Sequence, residues 1–166
     1  RIGGDMSFIR SIILVAGVLY LSAAYNGFVS SIPQPVAHRL VTDRAHVALQ
    51  RIGAPVGKIN ELSVAVTNAS AMTGISPELI VALMKTESEF DYKAVSSKGY
   101  KGLMQTPWAS MKWADVDILY GAKILQEKLK FSNNDVKLAL ALYKGGNNET
   151  AHKYADETLR VYRGLL

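Results

Sequence analysis

Glu87 is an acidic residue that falls on the apolar face of a predicted helix. Ile80, Leu83 and Met84 precede it at three- and four-residue steps, which places all four side chains on one face. A carboxyl group in apolar surroundings is protonated more readily than one in water, so Glu87 is a candidate general acid. The alternative is a glutamate at a helix boundary that turns to solvent. Glu89 lies about 200° further around the helix and does not share that face.

The helix that carries Glu87 has clear boundaries in the sequence. Ser76 suits the N-cap, Pro77 the first helical position and Glu78 the first turn, where a negative charge matches the helix dipole. We expect this helix to end at about Glu89. Gly74, just before it, is placed to end the preceding helix in a left-handed conformation.

Most of the sequence after residue 33 also predicts helices. Apolar residues recur at helical spacing over 36–51, 58–73 and 115–131, residues 133–135 cap a helix that reaches Tyr143, and a last helix spans 149–162. Residues 91–114 are rich in Gly, Ser and Lys and predict a loop with short turns. The sequence therefore predicts an all-α fold in which this loop follows the helix of Glu87.

Residues 11–32 contain no charged side chain, and a helix of about 20 apolar residues is long enough to cross a bilayer. A cleaved signal peptide fits, because Ser22, Ala23 and Ala24 are small residues that suit cleavage. An uncleaved anchor fits equally well, with the basic residues before it in the cytoplasm. A buried helix of a soluble domain is the third alternative. We favour the anchor, because the sequence still carries the segment.

Composition excludes several classes of protein. The 166 residues are too few for a barrel enzyme of about 250 residues, and a hydrophobic fraction of 49% is too high for a mostly disordered chain. No cysteine is present to act as a nucleophile or a zinc ligand, and the three histidines lack metal-site spacing. We therefore expect no metal and no cofactor. The net charge of +5 is too dispersed for nucleic acid, but it suits an anionic polymer or a membrane surface.

Four segments carry a resemblance to a known family. They are the pair Glu87-Ser88, the stretch AVSSKGYKGLMQ at 94–105, ADVDILYGAKIL at 114–125, and LALALYKGG at 138–146. In this order and at these distances, they make residues 59–162 resemble the soluble lytic transglycosylase (SLT) domain, a relative of goose-type lysozyme. The resemblance implies a lysozyme-like helical fold. One departure is Asp117, which stands where the family has an asparagine.

The resemblance implies a catalytic role for Glu87, which matches the single acid of the family. That family cleaves the β-1,4 bond between N-acetylmuramic acid and N-acetylglucosamine in peptidoglycan. Its glutamate first protonates the glycosidic oxygen and then deprotonates the C6 hydroxyl of the muramic residue, which leaves a 1,6-anhydro end. A one-acid mechanism is compatible with the sequence, because Asp91, Asp115 and Asp117 have no obvious placement opposite Glu87 as the second carboxylate that glycosidases use.

The resemblance also implies a set of substrate-binding positions. In this sequence they are Ser88, Gly102, Leu103, Met104, Gln105, Tyr143 and Tyr162. Gly102 would let the backbone approach the glycan, Met104 would pack against a sugar ring or lie in the core, and Gln105 would hydrogen-bond acetamido or hydroxyl groups.

Two further departures fall near the expected site. Lys144 replaces the family asparagine that follows Tyr143, and a cation there would either pair with Glu87 or point to solvent. The tyrosine of the last helix is also displaced by one position from the family pattern. Tyr162 or Tyr154 can fill its place.

The sequence thus predicts an anchor or signal segment (1–32), a linker with a helix (33–57) and an SLT-like catalytic domain (58–166). We expect a peptidoglycan lytic transglycosylase held at the inner membrane with its catalytic domain in the periplasm, or secreted after cleavage. The alternatives are a muramidase that hydrolyses the same bond, or a wall-binding component of an envelope-spanning or virion assembly. Location in a virion is the alternative to the cell envelope.

Overall fold

Six α-helices make up most of the residues that the computed structural model describes, which are 34–107 and 113–166. The helices are α1 (Gln34–Arg51), α2 (Ile59–Thr73), α3 (Pro77–Ser88), α4 (Ala114–Phe131), α5 (Val136–Lys144) and α6 (Glu149–Leu165), with a short 3-10 helix at Val56–Lys58. The predicted segment 11–32 lies outside the described residues. Within 34–107 and 113–166, no helix has the length and apolar character required to cross a bilayer.

The helix boundaries confirm the capping signals of the sequence. The Ser76 hydroxyl accepts a hydrogen bond from the Leu79 amide, and Gly74 ends α2 with a φ of 73°. Asp135 caps α5 in the same way as Ser76 caps α3. The last helix is longer than the sequence predicts, because it continues past Tyr162 to Leu165. The predicted all-α class is therefore confirmed for the described residues.

Helix α3 is the central element of the core. Every side chain from Leu79 to Met84 is buried, so the helix is covered on all sides rather than along the single stripe that the sequence suggested. It packs against α2 and α6, and α4 packs against α2 and α5. Arg44 of α1 pairs with Glu78 in the first turn of α3 through two hydrogen bonds of 2.7 and 2.9 Å. The last turn of α3, which carries Glu87, is thus held on a rigid support.

The loop between α3 and α4 contains little regular structure, yet its segment 102–105 is buried. Three helices hold this segment through side chains that reach its backbone. Ser88 of α3 donates to the Leu103 carbonyl at 2.9 Å, Asp117 of α4 accepts from the Leu103 amide at 2.6 Å, and Tyr143 of α5 donates to the Met104 carbonyl at 2.8 Å. Because buried backbone groups must find hydrogen-bond partners, these three contacts fix the path of the segment.

Gly121 allows α4 to lie directly against the same segment. A Cβ atom at this position would sit 2.5 Å from the Met104 Cβ, far inside van der Waals contact. The side chain of Met104 is fully buried, so a new Cβ would force it to shift against its packed neighbours. A glycine at 121 is therefore required by the close approach of α4 to the segment.

Asp117 is a buried carboxyl group whose two oxygens differ. Its Oδ2 accepts from the Leu103 amide, whereas Oδ1 is buried and makes no hydrogen bond within 34–107 and 113–166. Burial raises the pKa of Asp117 from 3.8 to about 6, and the backbone amides of Leu103 and Met104 oppose this shift. The carboxyl thus keeps its proton in the folded protein at a pH where the unfolded chain has released it.

Replacement of Gly121 by alanine should displace Met104 and destabilise the protein by about 1–3 kcal/mol, as overpacking of a tight core does. Gly164→Ala is the matched control, because Gly164 lies in α6 with open space around it and alanine favours a helix. Urea denaturation measures both free energies of unfolding. Equal stability of the Gly121→Ala variant and the parent would contradict the close contact.

Asp117 should make the protein less stable as the pH rises from about 4 to about 7. Below this range the carboxyl is protonated in both states, and within it the folded state holds a proton that the unfolded state has lost. Asp117→Asn removes this term, so its free energy of unfolding should gain about 2 kcal/mol relative to the parent across the range. Asp115→Asn, an exposed change on the same helix, should show no such gain. If the difference in free energy of unfolding between Asp117→Asn and the parent does not change with pH, the raised pKa of Asp117 is contradicted.

Candidate active site

Glu87 lies in the last turn of α3 and faces a cavity of about 140 Å³. Its side chain is only 4% exposed, so the carboxylate is within the protein surface but open to this cavity. The remaining lining residues come from the loop after α3 and from the end of α5, and they are Ser96, Ser97, Lys98, Tyr100, Gln105, Tyr143 and Lys144. Among these residues Glu87 is the only acid.

Both carboxylate oxygens of Glu87 have partners. The Tyr154 hydroxyl donates to Oε1 at 2.6 Å, and the Lys144 ammonium lies 3.2 Å from Oε2. Burial, followed by the nearby charge of Glu87, raises the pKa of Tyr154 well above its usual value, so the phenol keeps its proton and remains a donor. The ammonium also lies 4.6 Å from the centre of the Tyr154 ring, within the range of a cation–π contact.

The contact with Lys144 constrains the chemistry of Glu87. An ion pair forms with the ionised carboxylate, which is the form that can accept a proton. Donation of a proton to a substrate requires the carboxyl group to gain one and the ammonium to move from Oε2. The sequence left open whether Lys144 pairs with Glu87 or points to solvent, and in the structure it pairs with Glu87.

Gln105 and Tyr143 form the wall beside Glu87. Gln105 adopts a φ of 47°, and its side-chain amide donates to the carbonyls of Ala94 and Gly102 at 3.0 and 2.9 Å. Burial raises the pKa of Tyr143 well above its usual value, so its hydroxyl stays protonated and donates to Met104. Both side chains are held by the protein itself and present fixed surfaces to the cavity.

The structure places the other predicted site residues away from the cavity surface. The Ser88 hydroxyl donates to the backbone carbonyls of Met84 and Leu103, and the side chains of Leu103 and Met104 are buried in the core. Gly102 is buried with a φ of 75°, where it lets the loop turn. Tyr162 lies elsewhere, because its hydroxyl accepts from the Ser76 side chain at 3.4 Å at the start of α3.

Tyr154, the alternative to Tyr162, is the tyrosine that contacts Glu87. It shares a face of α6 with Ala151, Ala155 and Thr158, and small residues at this spacing indicate close packing against another helix. Thr158 lies 3.0 Å from the Thr86 hydroxyl on α3, one residue before Glu87. This face of small side chains was the sequence signal that could have selected Tyr154.

Comparisons with known proteins place the region around Glu87 within a known family. The family model described as the transglycosylase SLT domain matches residues 65–159, more than half of the chain. A protein from Enterobacteria phage PRD1 named "Transglycosylase" is 35% identical over 89 residues, which cover 49% of this chain and 33% of that protein. The chain thus spans about a third of the length of that relative. No solved structure gives a significant match. The matched region contains Glu87 and all of its contacts, and the chain belongs to the transglycosylase SLT domain family.

Proposed function

We propose that this chain is a peptidoglycan lytic transglycosylase in which Glu87 is the only catalytic acid and base. The proposal rests on one observation: the carboxylate of Glu87 is nearly buried, and Glu87 is the only acid among the described residues that line the cavity. The three aspartates considered as a second carboxylate do not line this cavity. Asp91 and Asp115 are exposed, and Asp117 holds the Leu103 amide. A single carboxylate suits a reaction in which the substrate supplies its own nucleophile.

The reaction begins when Glu87 donates a proton to the glycosidic oxygen. The bond from that oxygen to C1 of the muramic residue breaks, and the N-acetylglucosamine unit leaves with a new hydroxyl. Glu87, now a carboxylate, takes the proton of the C6 hydroxyl of the same muramic residue. The C6 oxygen then bonds to C1 and closes the 1,6-anhydro ring. No water is consumed, and Glu87 regains its proton.

The neighbours of Glu87 fit this cycle. Tyr154 donates to Oε1 and fixes the orientation of the carboxyl group, which leaves Oε2 to exchange the proton once Lys144 has moved. Gln105 and Tyr143 provide the polar and flat surfaces that sugar rings contact. For Ser88, Gly102, Leu103 and Met104, we propose a supporting role beneath the cleft, and Tyr162 has no part in it.

We further propose a setting at the cell envelope. Residues 11–32 have the composition of a membrane anchor, and the domain would act on peptidoglycan across the membrane. A virion-associated protein is the alternative, and it gains support from the transglycosylase of phage PRD1. Carbonate extraction of membranes from cells that express the whole chain tests the anchor, because a peripheral protein is released and an anchored one is retained.

Replacement of Glu87 by glutamine should reduce the rate of digestion of purified sacculi at least about 100-fold, because glutamine can neither donate nor accept the proton. Glu89→Gln is the matched control. Glu89 is exposed, lies two residues away and pairs with Lys85, so Glu89→Gln should keep activity within about twofold of the parent. Circular dichroism shows whether both variants fold. Undiminished digestion by Glu87→Gln would refute the catalytic role.

The same digests separate the two other candidate functions. A muramidase would produce reducing ends that react with borohydride, whereas a lytic transglycosylase produces anhydro ends that do not. A wall-binding component would release no fragments from sacculi although it binds them. The ion pair between Lys144 and Glu87 is the observation that favours this last alternative, because it occupies the carboxylate in the free cleft.

A further inference from the structure

Two lysines line the cavity that holds Glu87. Lys98 comes from the loop after α3, and Lys144 comes from the last residue of α5. With Glu87 as the only acid among the lining residues, the cavity carries an excess of positive charge when the three groups are ionised. Two ammonium groups at one cavity repel each other, and a further anion that contacts both would offset this repulsion.

Lys98 is free to meet such an anion. It makes no ion pair or hydrogen bond within 34–107 and 113–166, although six other basic side chains there pair with acids. Its ammonium lies 3.9 Å from the point where a Cβ on Gly145 would be, so it reaches the turn directly after Lys144. No side chain at Gly145 separates the lysine from this turn.

The backbone that carries Lys98 is ordered by a hydrogen-bonded turn. The Gly99 amide donates to the Ser96 carbonyl at 2.9 Å, and the Ser96 amide donates to the Tyr100 carbonyl at 2.8 Å. The Tyr100 amide also donates to the Ser96 hydroxyl. Lys98 therefore projects from a defined turn at the cavity rather than from a long unsupported loop.

We infer that Lys98 and Lys144 form an anion subsite beside Glu87 that binds carboxylate groups carried by the muramic residues of the substrate. The inference rests on the proposed function and specifies its substrate class. Muramic residues carry carboxylates either as free lactyl groups or on their peptide stems, whereas chitin has a similar β-1,4 backbone without them. The subsite thus selects an anionic glycan over a neutral one.

The subsite also connects binding with the acid role of Glu87. In the free cleft Lys144 is paired with Glu87 Oε2. A substrate carboxylate competes for the same ammonium and draws it from that oxygen, which is then open to carry a proton. Lys98 does not pair with Glu87, so it contributes to binding and not to the acid role of Glu87. Its replacement is therefore the cleaner test.

The test measures binding of soluble muramyl oligosaccharides by calorimetry. Lys98→Met and the control Lys123→Met are made in the Glu87→Gln background, so that no turnover occurs. Lys123 is exposed on α4 and does not line the cavity, so both changes remove one positive charge and only one removes it from the subsite. Each oligosaccharide is used with its carboxylates intact and with them converted to neutral amides.

We expect Lys98→Met to weaken binding of the carboxylate-bearing oligosaccharides about threefold to tenfold, and Lys123→Met to change it less than about twofold. The deficit of Lys98→Met should disappear with the neutral amides and shrink at high salt. Ligands with and without stem peptides separate the two sources, because the lactyl carboxyl is bonded to the stem when a stem is present and is free when it is absent. A deficit confined to the stem-bearing ligands assigns the stem, and a deficit confined to the stem-free ligands assigns the lactyl carboxylate.

The inference is overturned if Lys98→Met and Lys123→Met bind the anionic oligosaccharides equally well, or if the deficit of Lys98→Met is the same for the neutral amides. Either result leaves the proposed reaction standing, because that reaction is judged by the activity of Glu87→Gln on sacculi. Conversely, loss of the proposed reaction leaves this measurement valid, because it requires no turnover.

Discussion

The cleft depends on how the backbone of Leu103 and Met104 is held. Ser88, Asp117 and Tyr143 come from three different helices, and each forms a hydrogen bond to this short stretch. The loop on either side has almost no regular structure, so its position cannot come from strands or helices of its own. A shift of any one of the three helices would move the wall of the cavity in which Glu87 lies.

Two hydrogen-bond donors of different character contact Glu87. Tyr154 is a buried neutral donor, and its helix contacts α3 through the hydrogen bond between the Thr158 and Thr86 hydroxyls. Lys144 is a charged donor at the end of its helix, and its side chain is partly exposed. One oxygen of the carboxyl group thus contacts a buried phenol, and the other contacts a partly exposed ammonium group. Such an arrangement suits a group that must give up a proton and take one back.

Much of the fold could be read from the sequence, because helix caps are local. Ser76, Gly74 and Asp135 act within one turn of their own positions, and the structure has helix ends where each predicts one. Glu87 was also accessible, since its spacing from apolar residues is a property of one helix. The small residues beside Tyr154 on α6 favour it over Tyr162, but its contact with Glu87 depends on how α6 is rotated against α3, which is a property of the tertiary structure. The hydrogen bonds of Ser88 and Asp117 with the Leu103 backbone were not accessible either, because they depend on the path of the loop, which neither residue determines alone.

In the proposed reaction, one carboxylate acts and no water molecule is consumed. Digestion of purified sacculi in water enriched in oxygen-18, followed by mass spectrometry of the muramic ends, tests it most directly. If the C6 oxygen attacks C1, the muramic ends carry no label, and each end is lighter than a hydrolysed end by one water molecule. Muramic ends that carry one oxygen-18 atom would show that water attacks C1, and they would contradict the proposed formation of the 1,6-anhydro ring.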